Sequence, residues 1–167
     1  MSSPHTDIER HGSPEQEART ETVCVVGVGY VGLPLAVAFD RAGRDVVGYD
    51  VDDEKVAALN RGEERTGHVE ESLLRDGDVE FPADAAAIGD ADYVIITVPT
   101  PVDDTGNPDL RYVESAGRTV GERLSPGTTV VLESTVYPGA TRERLVPTLE
   151  GASGLREGVD FHVGYSP

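Results

Sequence analysis

The stretch "VCVVGVGYVGLPLAVAF", residues 23–39, decides how the rest of the chain is read. Val23, Cys24, Val25 and Val26 form a short apolar run that ends in glycine, the pattern of a buried strand. Residues 33–41 then read as a helix that stops at Gly43. Between the two lie Gly27, Gly29 and Gly32, in the order G-x-G-x-x-G. Alone this spacing says little, but here it follows a strand and opens a helix, which is where it has a mechanism. Gly27 permits a tight turn, Gly29 leaves the backbone open to a pyrophosphate, and Gly32 lets helix and strand pack closely. The helix mouth offers free amides and the positive end of a dipole to an anion. Pro34 falls in the first helical turn, where it has no amide to waste.

Working outward, residues 45–49 (DVVGY) read as a second strand that ends at Asp50, 18 residues after Gly32. That is close to the spacing of the acid that holds an adenosine ribose in dinucleotide-binding turns. A carboxylate there accepts hydrogen bonds from ribose hydroxyls and repels a 2′-phosphate, so NAD is favoured over NADP. The competing reading is that Asp50 only caps the next helix. Lys55 lies on that helix, where it either reaches ribose and phosphate oxygens or stays a solvated charge.

The remaining pattern alternates in the same way. Helices are expected at 52–60 with Asp52 as N-cap, at 69–75, 84–88, 109–124 and 141–149. Strands are expected at 79–81, weakly, and at 93–98, 128–132 and 160–164. Strands separated by helices imply a parallel sheet covered on both faces. The fold class is therefore α/β, a Rossmann-type doubly wound parallel sheet of about six strands. Residues 1–21 are polar, with one large aliphatic residue after Met1, Ile8, and are expected to fray as a disordered extension. Residues 22–167 make the single dinucleotide-binding domain.

Three further stretches carry chemistry: "TVPTP" (97–101), "GNPDLRYVESA" (106–116) and "ESTVYPGAT" (133–141). Together with "GYVGLPLA" and "LNRGE", they closely resemble the nucleotide-sugar dehydrogenases, from about residue 23 to 167. The resemblance leans toward the UDP-N-acetylmannosamine and UDP-N-acetylglucosamine branch, with UDP-glucose 6-dehydrogenase as the alternative. It implies an enzyme that oxidises the C6 alcohol of a UDP-sugar to a carboxylate with two NAD. It also implies roles for single residues. Tyr30 and Val31 belong to the dinucleotide turn. Asp50 and Lys55 lie at the adenosine end. Val98, Pro99 and Thr100 line the cofactor cleft, as does Ser134. Thr135 contacts the cofactor and positions a catalytic water. For Thr100 the plainer reading is an ordinary loop threonine before Pro101, and for Thr135 a hydroxyl that ties the loop to its own backbone. Glu133 receives no role.

In the family a cysteine forms a thiohemiacetal and then a thioester, assisted by a lysine and an acid. Cys24 is not that cysteine, because it sits inside the first strand, where a thiol is buried and inert. The substrate-binding part and the nucleophile are thus expected outside this chain, which by itself is expected to hold NAD without turning over a UDP-sugar. A stand-alone dinucleotide-binding module is the other reading. Homo-oligomers are expected only with the further domains.

Composition bounds the partners. The 167 residues carry 14 Lys+Arg against 31 Asp+Glu, a net charge of −17. Nucleic acid and anionic membrane surfaces are therefore unlikely partners, since both demand basic patches. No run approaches the roughly 20 apolar residues of a membrane span. One cysteine excludes an internal disulfide and fits a reducing cytoplasmic setting. His5, His11, His68 and His162 have no metal-ligand spacing, so no metal is expected. Lys55 is the sole lysine. The acidic surface is either an adaptation to concentrated salt, which screens self-repulsion, or plain acidity. The salt-adapted reading expects the melting temperature to rise by several degrees between low and molar KCl, and a flat response in a thermal melt rejects it.

Overall fold

The computed structural model describes residues 20–102 and 108–167. The expected N-terminal extension lies outside them except for Thr20 and Glu21. Gly106 and Asn107, the start of "GNPDL", lie outside them too.

Five strands form one parallel sheet: β1 Thr22–Val26, β2 Asp45–Tyr49, β3 Tyr93–Ile96, β4 Thr129–Glu133 and β5 His162–Ser166. Their order is β2-β1-β3-β4-β5. Every adjacent pair is parallel, with Val25 opposite Gly48 on one side and Ile95 on the other. The expected strand at 79–81 is reduced to a bridge. The Glu80 amide donates to Val46 O at 3.0 Å, and Glu80 O accepts from the Gly48 amide at 2.8 Å. This single residue extends the sheet beyond β2. The six expected strands are thus five and a bridge. A run of three residues followed by Pro82 has too few amides to sustain a ladder.

The helices are α1 Gly32–Arg41, α2 Asp53–Leu59, α3 Glu71–Asp76, α4 Arg111–Gly121 and α5 Val146–Ser153, with a 3₁₀ turn at Ala85–Asp90. Asp52 caps α2, its carboxylate accepting the Lys55 amide at 3.0 Å. The helix expected at 141–149 begins instead as a wide π turn, Thr141–Leu145, before α5. Pro147 lies at the start of α5 and has no amide to bond back one turn, so the first turn widens.

Alternation along the strands sorts the core into two faces. Cys24, Val26, Val94, Ile96, Val130 and Leu132 point to one face, where Val113, Val120, Leu145 and Leu149 of the α4–α5 side seal them. Val23, Val25 and Ile95 point to the other, against Ala36 of α1. A third cluster joins Val28 and Leu33 to Val56, Leu59 and Phe81. Strands apolar on both faces are what a doubly wound sheet requires. Cys24 is completely buried, and burial pushes its thiol up to about 12, so it stays protonated and unreactive.

The turn between β1 and α1 is closely packed. Gly27 adopts φ +96°, a left-handed conformation that suits glycine. A Cβ on Gly32 would lie 1.9 Å from Gly27 O and 2.4 Å from Thr97 Oγ1. Backbone cannot yield to such an overlap, so Gly32→Ala is expected to cost at least ~2 kcal/mol of stability. Urea denaturation checks this, and an unchanged midpoint would show that the close approach is not needed.

Candidate functional site

At the carboxyl ends of β1 to β4 the sheet opens into a cleft of about 690 Å³. In doubly wound sheets this edge, where the chain switches direction, is where ligands bind. Of the residues singled out from the sequence, Gly27, Gly29, Tyr30, Val31, Asp50, Lys55, Val98, Pro99, Thr100, Ser134 and Thr135 all line the cleft. Gly32 does not line it and instead packs beneath, against Gly27 and Thr97.

The floor is the mouth of α1. That helix has no side-chain cap; the Leu33 and Leu35 amides bond back to Gly29 O and Val31 O and Pro34 has none, so the amides left for an anion are those of the turn from Gly29 to Gly32. A Cβ built on Gly29 meets nothing within 4 Å, so the space a phosphate would need is open. Tyr30 and Val31 line the cleft with side chains that are 70% and 52% exposed. The Tyr30 ring meets His68 edge to face, with centroids 5.0 Å apart.

Asp50 ends β2 as a buried carboxylate with three partners. Its Oδ2 accepts the Val28 amide at 3.0 Å and the Lys55 ammonium at 2.8 Å. Its Oδ1 accepts the Asp52 amide at 3.0 Å. The helix-cap reading therefore falls to Asp52, and Asp50 braces the glycine turn from 22 residues away. Asp50 is not the lone carboxylate that its place in the sequence suggests. Lys55 compensates its charge, and its side chain is only 32% exposed, so it is not a freely solvated charge either. Three of roughly four lone-pair sites on Asp50 are filled, which leaves one directed acceptor for a ligand hydroxyl. Next to it, burial first and the Asp50 carboxylate second push the Tyr49 phenol above its ordinary range, so Tyr49 remains a neutral donor.

The far wall is two loops stitched together. Ser134 Oγ donates to Val98 O and Thr100 Oγ1 donates to Thr135 O, both at 2.7 Å. Both bonds cross between loops, 36 and 35 residues apart in the chain, which the sequence reading did not foresee, and each oxygen keeps lone pairs for a ligand. The exposed Thr135 hydroxyl makes no bond among the described residues.

Two contributions escaped the sequence reading. Thr97 is buried, and its hydroxyl donates to Gly27 O at 2.6 Å, clamping the glycine turn from β3. Tyr112, Ser115, Ala116 and Thr119 on α4 form another wall of the cleft. Their i, i+3, i+4, i+7 spacing was visible, but α4 also carries an apolar stripe at Val113, Ala116 and Val120, which alone accounts for its burial.

Comparison with known proteins supplies the family. The UDP-glucose/GDP-mannose dehydrogenase family, NAD binding domain, matches residues 21–167. The chain belongs to this family. Its fold is the family's NAD-binding domain and its cofactor is NAD. Protein CapL of Staphylococcus aureus is 47% identical over 145 residues, covering 87% of this chain and 34% of the relative. A UDP-N-acetyl-D-glucosamine 6-dehydrogenase of Pseudomonas aeruginosa is 44% identical over 146 residues, again 87% of this chain and 34% of the relative. The structure of a GDP-mannose dehydrogenase ternary complex from Pseudomonas aeruginosa superposes with a TM-score of 0.80 at 35% identity. It covers 87% of this chain and 35% of that one. The UDP-D-ManNAc dehydrogenase structure from Pyrococcus horikoshii gives 0.77 at 37% identity, with 87% and 36% covered. The chain spans about a third of the length of the curated relatives it matches.

Gly29 separates the fold from the site. Since a Cβ there touches nothing, Gly29→Ala is expected to leave the melting temperature unchanged while weakening NAD about tenfold, roughly 1.4 kcal/mol. Calorimetry beside a thermal melt reads both, and equal NAD affinity would mean that no phosphate sits at the α1 mouth.

Proposed function

We propose that this chain holds NAD for a UDP-sugar 6-dehydrogenase of the UDP-N-acetyl-D-mannosamine or UDP-N-acetyl-D-glucosamine type. The observation that supports this most is the pairing of an open, uncapped helix mouth at Gly29 with the Asp50–Lys55 pair at the end of β2. Relatives named as dehydrogenases of these two sugars lie at 44% and 39% identity.

In this reading Gly27 and Gly32 shape the turn, and the amides around Gly29, Tyr30 and Val31 meet the diphosphate. Asp50 accepts from one ribose hydroxyl through its remaining lone pair. Lys55, already 2.8 Å from Asp50, donates to the other ribose oxygen. Val98, Pro99, Thr100 and Ser134 hold the wall beside the nicotinamide half. The unengaged Thr135 hydroxyl is the group available to orient a water. Bound NAD supplies the hydride acceptor, and the chain supplies orientation and electrostatics. The UDP-sugar, its nucleophile and the surfaces for homo-oligomer assembly belong to the parts of the relatives that this chain does not match. Residues 22–167 act as the cofactor domain, and a cytoplasmic setting suits nucleotide-sugar substrates. Among the described residues no helix is long and apolar enough to cross a membrane.

The purified chain is expected to bind NAD more tightly than NADP. The margin is modest, because Lys55 offsets part of the repulsion that Asp50 exerts on a 2′-phosphate. Removing that offset by Lys55→Met should weaken NADP further, and calorimetry with both cofactors reads it. No heat with NAD, or tighter NADP, contradicts the assignment. No NADH should form with any UDP-sugar, because the sugar-binding part of the relatives is not matched by this chain, and its cysteine is sealed in β1. Absorbance at the NADH band checks this.

A further inference from the structure

The charged side chains that line the cleft are unevenly placed. Asp50, Asp52 and Lys55 cluster at the β2 end. Beyond the glycine turn the lining carries one charged side chain, Glu133, at the end of β4. In the order β2-β1-β3-β4-β5 that is two strands past the turn, on the side away from Asp50.

Alternation places Glu133 on the same sheet face as Val131, which packs with Ala36 of α1. Glu133 is half-buried. Among the described residues its carboxylate meets no hydrogen-bond donor and no cation. Lys55, the one basic residue lining the cleft, is engaged with Asp50. An uncompensated carboxylate in a partly dry cleft acts on whatever charge lies near it, because screening there is weak. For a strand-end surface charge, water would supply the compensation. This one lines the cavity that the cofactor fills in the reading above.

The direction of the ligand follows from the other end. With adenosine at Asp50 and the diphosphate at the α1 mouth, the second nucleoside extends toward the ends of β3 and β4. That nucleoside carries the one group whose charge changes with redox state. Oxidised nicotinamide is a cation, and the reduced ring is neutral. We propose that Glu133 makes this site select the oxidised cofactor over the reduced one. The inference rests on the cofactor reading above and adds a specificity-determining residue to it. Its consequence is functional. An oxidation that consumes two NAD must exchange NADH for NAD⁺ between steps, and a carboxylate that holds the oxidised ring more tightly than the reduced one favours that exchange.

The test uses the whole 167-residue chain and three ligands. NAD⁺ and ADP-ribose are titrated by calorimetry, and NADH by its own fluorescence. ADP-ribose shares every contact except those of the nicotinamide. Glu133→Gln keeps the shape and removes the charge, so it should shrink the ratio of NADH to NAD⁺ dissociation constants about three- to tenfold. ADP-ribose affinity should not move, which also reports that the variant is folded. Glu133→Lys should shrink the ratio further. An unchanged ratio in both variants overturns the proposal. So does a parallel loss for all three ligands, which would make Glu133 a shaper of the cleft as a whole. If the wild-type chain fails to bind ADP-ribose, the cofactor reading itself is overturned, and the inference goes with it.

Discussion

The Asp50 carboxylate holds the glycine turn, the end of β2 and the start of α2 in one constellation. It accepts the Val28 amide, the Asp52 amide and the Lys55 ammonium. A carboxylate this buried is costly without partners, and three charge-assisted bonds are what make its burial tolerable. Each bond also fixes geometry. The Val28 contact locks the turn whose amides open onto the cleft. The Lys55 contact aims a flexible side chain at the place where a ribose would lie. In the proposed function, structure and binding draw on the same side chain.

Steric closeness does the complementary work on the other side of the turn. Gly32 sits where no Cβ fits, and Thr97 clamps Gly27 O from the neighbouring strand. These contacts draw α1 tight against β1, which keeps the helix mouth at the sheet edge. Farther out, the Ser134 and Thr100 hydroxyls bind the loops after β3 and β4 to each other. Two short loops that would otherwise move independently become one wall. The cleft therefore has a rigid side built from backbone and an electrostatic side built from Asp50, Lys55 and Glu133.

Much of this was legible in residue order. The alternation of apolar runs located every strand of the sheet, since strands buried on both faces leave a continuous apolar signature. It overcounted at 79–81, where three residues before a proline satisfy local propensity but support only a bridge. It also read 141–149 as a plain helix, because periodicity does not register the missing amide of Pro147. In the site, eleven of the twelve residues singled out reach the cleft. The twelfth, Gly32, fails to line it for the same steric reason that makes it a glycine.

The sequence by itself determined the strand–turn–helix unit, the acid at the end of β2 and the family, because these are local patterns whose meaning lies in spacing. Tertiary structure alone decided what the acid does. Its bond to Val28 spans 22 residues, and its pairing with Lys55 depends on how α2 leaves the sheet. The α4 wall and the isolation of Glu133 were likewise settled only by packing. Whether a side chain faces a ligand, a neighbour or water depends on which distant elements the sheet brings beside it, and that information is absent from any single stretch of chain.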